Sequence, residues 1–406
     1  MNAGNRTRMT ENNGDYTTYA YDDIYQLTGQ TKRNSADTIQ FQYSYAYDDV
    51  GNRVTETDAD GDITTYSYNV ANQLTHTVAD GTRVTYTYDS NGNMTGSEDS
   101  GGTTSFDYSC ENRMEVVTYP DSTKTTFAYN AAGKRVLKED SSGTVKYLYD
   151  RDKVVLERDG DDNTVARYTH EGGSLYEDLI SMKRDGSSYQ YLFDGLGSIS
   201  EVVDSSEATQ NSYRYEAFGQ IESSTSSVSN PYAYVGAYGV HRDPGPSLYF
   251  MQARYYKAGI GRFVSRDPFS GSLQDPRSLH RYLYTGNNPV NTADPGGLFN
   301  PYVCIFICLG FFPVYLECLS ACQGAAAMDE LRKILDKTTP RAGDCMNPES
   351  LSDCMGCPGG RRPIFVNNCV SCCSTVKEPT YSCENWCDRV WDAKQEKDSK
   401  QQCQNQ

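Results

Sequence analysis

Upstream of Leu298 the chain has one cysteine, Cys110, and all 406 residues include only four histidines: His76, His170, His241 and His280. None of these histidines follows Leu298, so residues 299–406 cannot house a His-dependent nuclease or a Cys–His hydrolase. Each of the four reads as a solvated strand or loop residue. Basic residues are also short: 37 Lys and Arg stand against 54 Asp and Glu. Residues 299–406 hold 13 acidic and 11 basic side chains, so all but two of the 17 net negative charges fall on the first 298 residues. Such a surface repels phosphate, which argues against a nucleic-acid partner for that part. The first residues, MNAGNRTRMTENNGDY, carry no apolar core behind their positive charges and make no secretory signal. Glycine clusters interrupt the chain about every ten residues and leave no 3.6-residue periodicity, which excludes a helical reading.

What fills the first part is a repeat. A Tyr-x-Tyr-Asp-like anchor recurs at Tyr19/Tyr21, Tyr45/Tyr47, Tyr66/Tyr68, Tyr86/Tyr88, Phe106/Tyr108, Phe127/Tyr129 and Tyr147/Tyr149; the second aromatics are spaced 26 and then 21, 20, 20, 21 and 20 residues. Turn signals such as Asp89-Ser-Asn-Gly92-Asn93 and Asp99-Ser-Gly101-Gly102 punctuate each unit. Asp and Asn bond their own backbone and Gly supplies positive φ, so each unit predicts two short antiparallel strands. Anchor rings two apart face one side of a sheet and form an aromatic ladder across units. From Asp150 to Ser247 the repeats loosen, though Tyr191-Leu-Phe193-Asp194 and Tyr213-Arg-Tyr215-Glu216 keep the theme. Two strands per unit over some ten units predict a sheet that curls, since open sheets of more than about ten strands tend to curl or split. Gly4-Asn5-Arg6 aligns with Gly51-Asn52-Arg53 but has no Tyr-Asp before it, so the expectation is that Met1 falls inside a repeat and that an upstream shell segment precedes it.

The densest stretch runs from Leu248 to Leu298. It contains Leu248-Tyr249-Phe250, Arg254-Tyr255-Tyr256, Gly261-Arg262-Phe263, Ser265, Asp267-Pro268, then Tyr282, Tyr284, Asn287-Asn288-Pro289, Asn291 and Asp294-Pro295-Gly296-Gly297-Leu298. In this order the residues resemble the core module of RHS/YD-repeat proteins, found in polymorphic toxins and in the C components of insecticidal toxin complexes. Lys257 stands where the family usually has Asp, and the 27-residue gap from Asp267 to Asp294 is a few residues longer than usual. The resemblance implies a mainly β fold: a hollow, curled shell of YD strands (residues 1–190), a core module plugging its end (191–298) and a variable tail (299–406). It also implies an aspartic-type self-cleavage, with Asp267 and Asp294 as the carboxylate pair, Arg254 as their arginine and Leu298-Phe299 as the bond cut. Two close carboxylates suit that task because one can activate water while the other protonates the departing nitrogen. Without the resemblance an Asp-Pro step simply starts a turn, which is how Asp243-Pro244 and Asp275-Pro276 read.

Thirteen of the 14 cysteines follow Leu298, an abrupt shift that marks a boundary. Cys304, Cys308, Cys318 and Cys322 come in pairs four apart, which shares a helical face, and Pro313 between the pairs suggests two short helices stapled together. Met328 to Lys337 reads as a helix, and Cys383 and Cys387 form a further pair beside Trp386 and Trp391. Cys354, Cys357, Cys369 and Cys372 have zinc-like spacing, but cysteine at this density is typical of a disulfide scaffold. Tyr302 to Leu316 is uncharged yet shorter than the roughly twenty residues a membrane span needs, so residues 302–328 read as a buried hairpin, with membrane contact as the alternative.

With these features, the resemblance implies a secreted or surface-exposed bacterial shell without a cofactor. Its partners would be its own enclosed tail and a secretion apparatus. The competing readings are an adhesive surface protein that displays a disulfide-rich module, and a truncated remnant without activity. If the tail is a disulfide scaffold, thiol titration after oxidative refolding should find few of its 13 cysteines free; most of them free, with zinc bound, would establish the metal reading instead.

Overall fold

The computed structural model describes residues 4–171, 179–243, 247–271 and 276–298. The tail cysteines, Phe299 and residues 302–328, on which those expectations fall, lie outside the described residues. Within them the chain is mainly β. Twenty-one strands, from β1 (Arg8–Thr10) to β21 (Ile221–Ser226), form one sheet in which each pairs antiparallel with the next in sequence. No pairing among the described residues joins β1 to β21, so the sheet is not closed. A second sheet of four strands follows: β22 (His241–Asp243), β23 (Leu248–Met251), β24 (Arg254–Lys257) and β25 (Arg262–Phe263). Helical structure among the described residues is confined to short 3-10 turns.

The tyrosine–aspartate step works as one local device. Asp48 accepts hydrogen bonds from the Val50 and Asn52 amides and from the Asn52 side chain, and Asp89 repeats the arrangement with Asn93. The fourth turn residue has positive φ, Gly51 at 88° and Gly92 at 87°, which a residue without Cβ adopts at little cost. Between Asp150 and Ser226 the anchors loosen but the turn chemistry does not, because Asp159, Asp194 and Asp204 still cap their turns. Strand pairing therefore runs on to Ser226.

The second anchor tyrosine staples neighbouring units. Its hydroxyl donates to the carbonyl of the first strand residue after the preceding turn: Tyr47 to Leu27 (2.6 Å), Tyr68 to Arg53, Tyr129 to Met114, Tyr149 to Arg135 and Tyr215 to Ile199 (each 2.8 Å). The first anchor aromatic points to the same face and is buried, as Tyr45, Tyr66, Phe106, Phe127 and Tyr147 show. Rings within one anchor stack at 6.3 Å in Tyr191–Phe193 and Tyr213–Tyr215.

The described residues between 232 and 291 lie over this aromatic face and touch turn after turn. The Asn287 side chain donates to the Gly51 carbonyl (2.7 Å), the Tyr282 hydroxyl to Gly92 (2.8 Å), and the Tyr256 hydroxyl to Phe218 (2.6 Å). Early and late strands also meet: Tyr45 of β4 (Ile39–Tyr47) donates to Glu216 at 2.8 Å and packs its ring on Phe218.

Three sequence expectations are corrected here. His241 is buried edge-on to Tyr147 and Tyr232 and bonded to the Tyr232 hydroxyl, and His280 is buried against Asn52. Neither is solvated: burial pushes the imidazole of His280 down to about 3 and that of His241 well below its ordinary value, so both are neutral. Asp243 is no simple turn residue, for it ends β22 and pairs, buried, with Arg135. All three lie in segments that pack against the aromatic face of the sheet, a placement that local pattern does not encode.

The staples give a contrast to measure. Tyr68→Phe and Tyr129→Phe each remove one such hydrogen bond and should cost about 1 kcal/mol in denaturant unfolding. The Tyr108 hydroxyl, buried without a partner among the protein's polar groups, should be replaceable by Phe at no cost.

Candidate functional site

The site lies where the second sheet meets the end of the described chain. Arg254 opens β24 and Asp267 follows β25, and the last turn, Asp294 to Leu298, returns beside both. Backbone bonds fix that return: the Ala253 amide donates to the Gly296 carbonyl at 3.2 Å, and the Gly297 amide to the Asp294 carbonyl at 3.2 Å. Gly297 has φ of 64°, and a Cβ there would collide with the Met251 carbonyl and stand 3.1 Å from the Arg254 nitrogen. Only glycine lets the chain pass so close. Gly296 has no such crowding, its nearest neighbour to a would-be Cβ lying 4.0 Å away.

Arg254, Asp267 and Asp294 therefore come together. Nη2 of Arg254 is 2.9 Å from Asp267 Oδ2 and 3.7 Å from Asp294 Oδ2. Two carboxylate oxygens thus face one nitrogen. Nε of Arg254 donates to the Gly297 carbonyl and Nη1 to the Arg281 carbonyl (3.1 Å), while its guanidinium carbon stands 3.6 Å from the centre of the Phe263 ring. The three residues are 3%, 2% and 8% exposed, whereas Leu298 is 40% exposed. The Leu298 amide donates to Asp294 Oδ1 at 3.1 Å. Both ends of the Gly297–Leu298 peptide are consequently held, one by the arginine and the other by the carboxylate.

The electrostatics follow from burial. Loss of water pushes the Asp294 carboxyl up to about 6; Arg254 pulls the other way and Asp267 adds to the rise. Burial also lowers the Arg254 guanidinium, a fall that both carboxylates oppose. A buried acid beside a second carboxylate and a fixed cation can pass a proton at mildly acid pH.

Sequence reasoning missed Arg281, whose side chain donates to the Asp267 carbonyl at 2.9 Å, and Phe263 beneath the guanidinium. Phe263 stood in the Gly261-Arg262-Phe263 motif and Arg281 in none, but neither role was legible, because each comes from what lies opposite the residue. It also missed a second buried cluster, in which Arg53 bonds Glu56 at 2.8 Å near Glu216. Burial, with Glu56 adding to it, pushes Glu216 up to about 7. Among the described residues no group of His, Cys, Asp and Glu is placed to hold a metal, and no helix is long and apolar enough to cross a membrane.

Comparison with known proteins places these features in a family. A profile of the Teneurin YD-shell matches residues 3–290. The chain is 34% identical over 154 residues to the tRNA3(Ser)-specific nuclease WapA of Bacillus spizizenii, a match covering 37% of this chain and 6% of that protein. It is 27% identical over 129 residues to the double-stranded DNA deaminase toxin A of Burkholderia cenocepacia, covering 30% of this chain and 8% of that one. Among solved structures, a TcdB2–TccC3 complex matches 72% of this chain and 19% of its own at 20% identity, with a TM-score of 0.38. The chain thus spans only a small part of the relatives it matches. With its Tyr-Asp turns, their staples and the module that covers them all inside the matched region, the chain belongs to the Teneurin YD-shell family of YD-repeat proteins.

Proposed function

We propose that this chain is an encapsulating β shell that cuts itself after Leu298 and frees the C-terminal polypeptide as an effector for a target cell. The observation that carries the reading is the convergence of Arg254, Asp267 and Asp294 on the Gly297–Leu298 peptide, immediately before the composition of the chain changes. A curled shell fits the contacts between β4 and the Glu216–Gly219 turn, and a plug fits residues 232–291 over the aromatic face. Two relatives are named for activities on different nucleic acids, tRNA and double-stranded DNA, as expected if the shared segment is a carrier. A secreted or surface location for the bacterial protein belongs to the same reading.

In the reaction one carboxylate takes a proton from water, whose oxygen bonds to the Leu298 carbonyl carbon. The carbon–nitrogen bond to Phe299 breaks, and the protonated carboxyl delivers its proton to the departing nitrogen. One water is consumed and the pair ends with one proton, as it began. We assign the acid to Asp294, which burial keeps protonated at mildly acid pH, and the base to Asp267. Arg254, with its nitrogens directed at Gly297, Arg281 and Asp267, fixes the base and the chain rather than the Leu298 carbonyl.

Intact-mass measurement of the full chain should yield a 108-residue fragment beginning at Phe299 in the wild type, and none in Asp267→Asn or Asp294→Asn with the fold retained. Unchanged cleavage in both variants, or fragments beginning at Pro268 or Pro295, would reduce the two aspartates to turn residues. The pH dependence has a defined sign. The acid form of Asp294 is present below about 6 and is titrated away above it, so the cleavage rate should fall by up to about tenfold per unit once pH exceeds that value. A rate that climbs from pH 6 to pH 8 excludes Asp294 as the acid.

A further inference from the structure

Fourteen positions separate Asp267 from Arg281, and the side chain of Arg281 ties the two together. Arg281 donates Nε to the Asp267 carbonyl (2.9 Å) and Nη2 to the Pro268 carbonyl (3.2 Å). Its own carbonyl accepts from the Asp267 amide (2.9 Å) and from Nη1 of Arg254 (3.1 Å). Among the described residues no carboxylate forms an ion pair with this guanidinium; its fork meets two consecutive carbonyls instead.

We propose that Arg281 is a positioning residue for the self-cleavage: it locks the Asp267–Pro268 step so that the Asp267 carboxylate stays against Arg254, and it sets a second positive charge on the Asp267 side of the carboxylate pair. The inference rests on the reading under Proposed function and deepens it. Pro268 lacks an N–H and cannot secure the step through a ladder bond of its own, so the fork of Arg281 supplies two anchors from one planar group. A loop base held by flexible contacts would let the carboxylate drift, and a displacement of about 1 Å can cost about a hundredfold in rate. The positive charge also has a chemical effect. A cation within a few ångströms favours the ionised form of a carboxylate, so removing it raises the pH at which the pair loses its proton. Burial and then the nearby Arg266 disfavour the Arg281 charge, which Asp267 supports; a neutral donor used only as a brace would avoid that cost.

The test compares the full 406-residue wild type with Arg281→Lys and Arg281→Gln, following release of the Phe299 fragment by intact mass from about pH 4 to about pH 8, with Asp294→Asn as the uncut control. Arg281→Gln should cleave about 10- to 100-fold more slowly, with the alkaline midpoint moved up by about half a unit to one unit. Arg281→Lys loses the fork but keeps the charge, so it should slow while its midpoint stays at the wild-type value. Wild-type rates in both variants overturn the role, as does slowing with the same midpoint in both. If hydrogen exchange shows that Arg281→Gln has lost protection over residues 248–257, the Lys variant decides: slowing at the wild-type midpoint upholds the role, and an unchanged rate overturns it. A wild-type chain that stays whole overturns the cleavage reading itself, whereas wild-type cleavage with unaffected variants overturns only the role of Arg281.

Discussion

An open sheet with aromatic rings along one face cannot keep that face in water, and this single constraint organises the described part of the molecule. Every strand pair contributes rings to the same side, because the anchor residues are two apart and the staggered turns keep the register from unit to unit. The resulting apolar surface is too extended for the strands to bury by themselves. Residues 232–291 bury it, through contacts with the turns near Gly51, Gly92 and Phe218 and with the rings of Phe127, Tyr129 and Tyr168.

That cover has to be polar where it meets the turns and apolar where it meets the rings, and arginine serves both needs. Arg53 and Arg135 occupy the position after a turn that Leu74, Met94 and Met114 fill elsewhere. Each lies within reach of several rings: Arg135 is 4.5 Å from Phe250 and 5.2 Å from Phe127 and Tyr147. Each also meets a carboxylate, Asp243 for Arg135 and Glu56 for Arg53. A buried guanidinium is tolerable only with both kinds of neighbour, since removing either leaves a desolvated charge. Arg254 follows the same rule over Phe263, but it faces two carboxylates and the chain that leads to Leu298. The proposed catalytic arrangement is thus a variant of the interaction that seats the module elsewhere.

The repeat, the strand direction and the aromatic face were legible in the sequence because each depends on residues within about twenty positions of one another: the Asp48–Asn52 cap, the Tyr68–Arg53 staple and the period of two. Arg254, Asp267 and Asp294 were legible as a set through resemblance, and the crowding at Gly297 agrees with the need for a residue without Cβ. Tertiary structure alone decided that His241, His280 and Asp243 are buried, that Arg281 holds the Asp267–Pro268 step, and that Gly297 and Leu298 meet the arginine and the acid. Those contacts join residues up to more than two hundred positions apart, as His280 and Asn52 do. Periodicity and turn chemistry state which face a side chain occupies; which distant group waits on that face is fixed only when the covering module docks against the sheet.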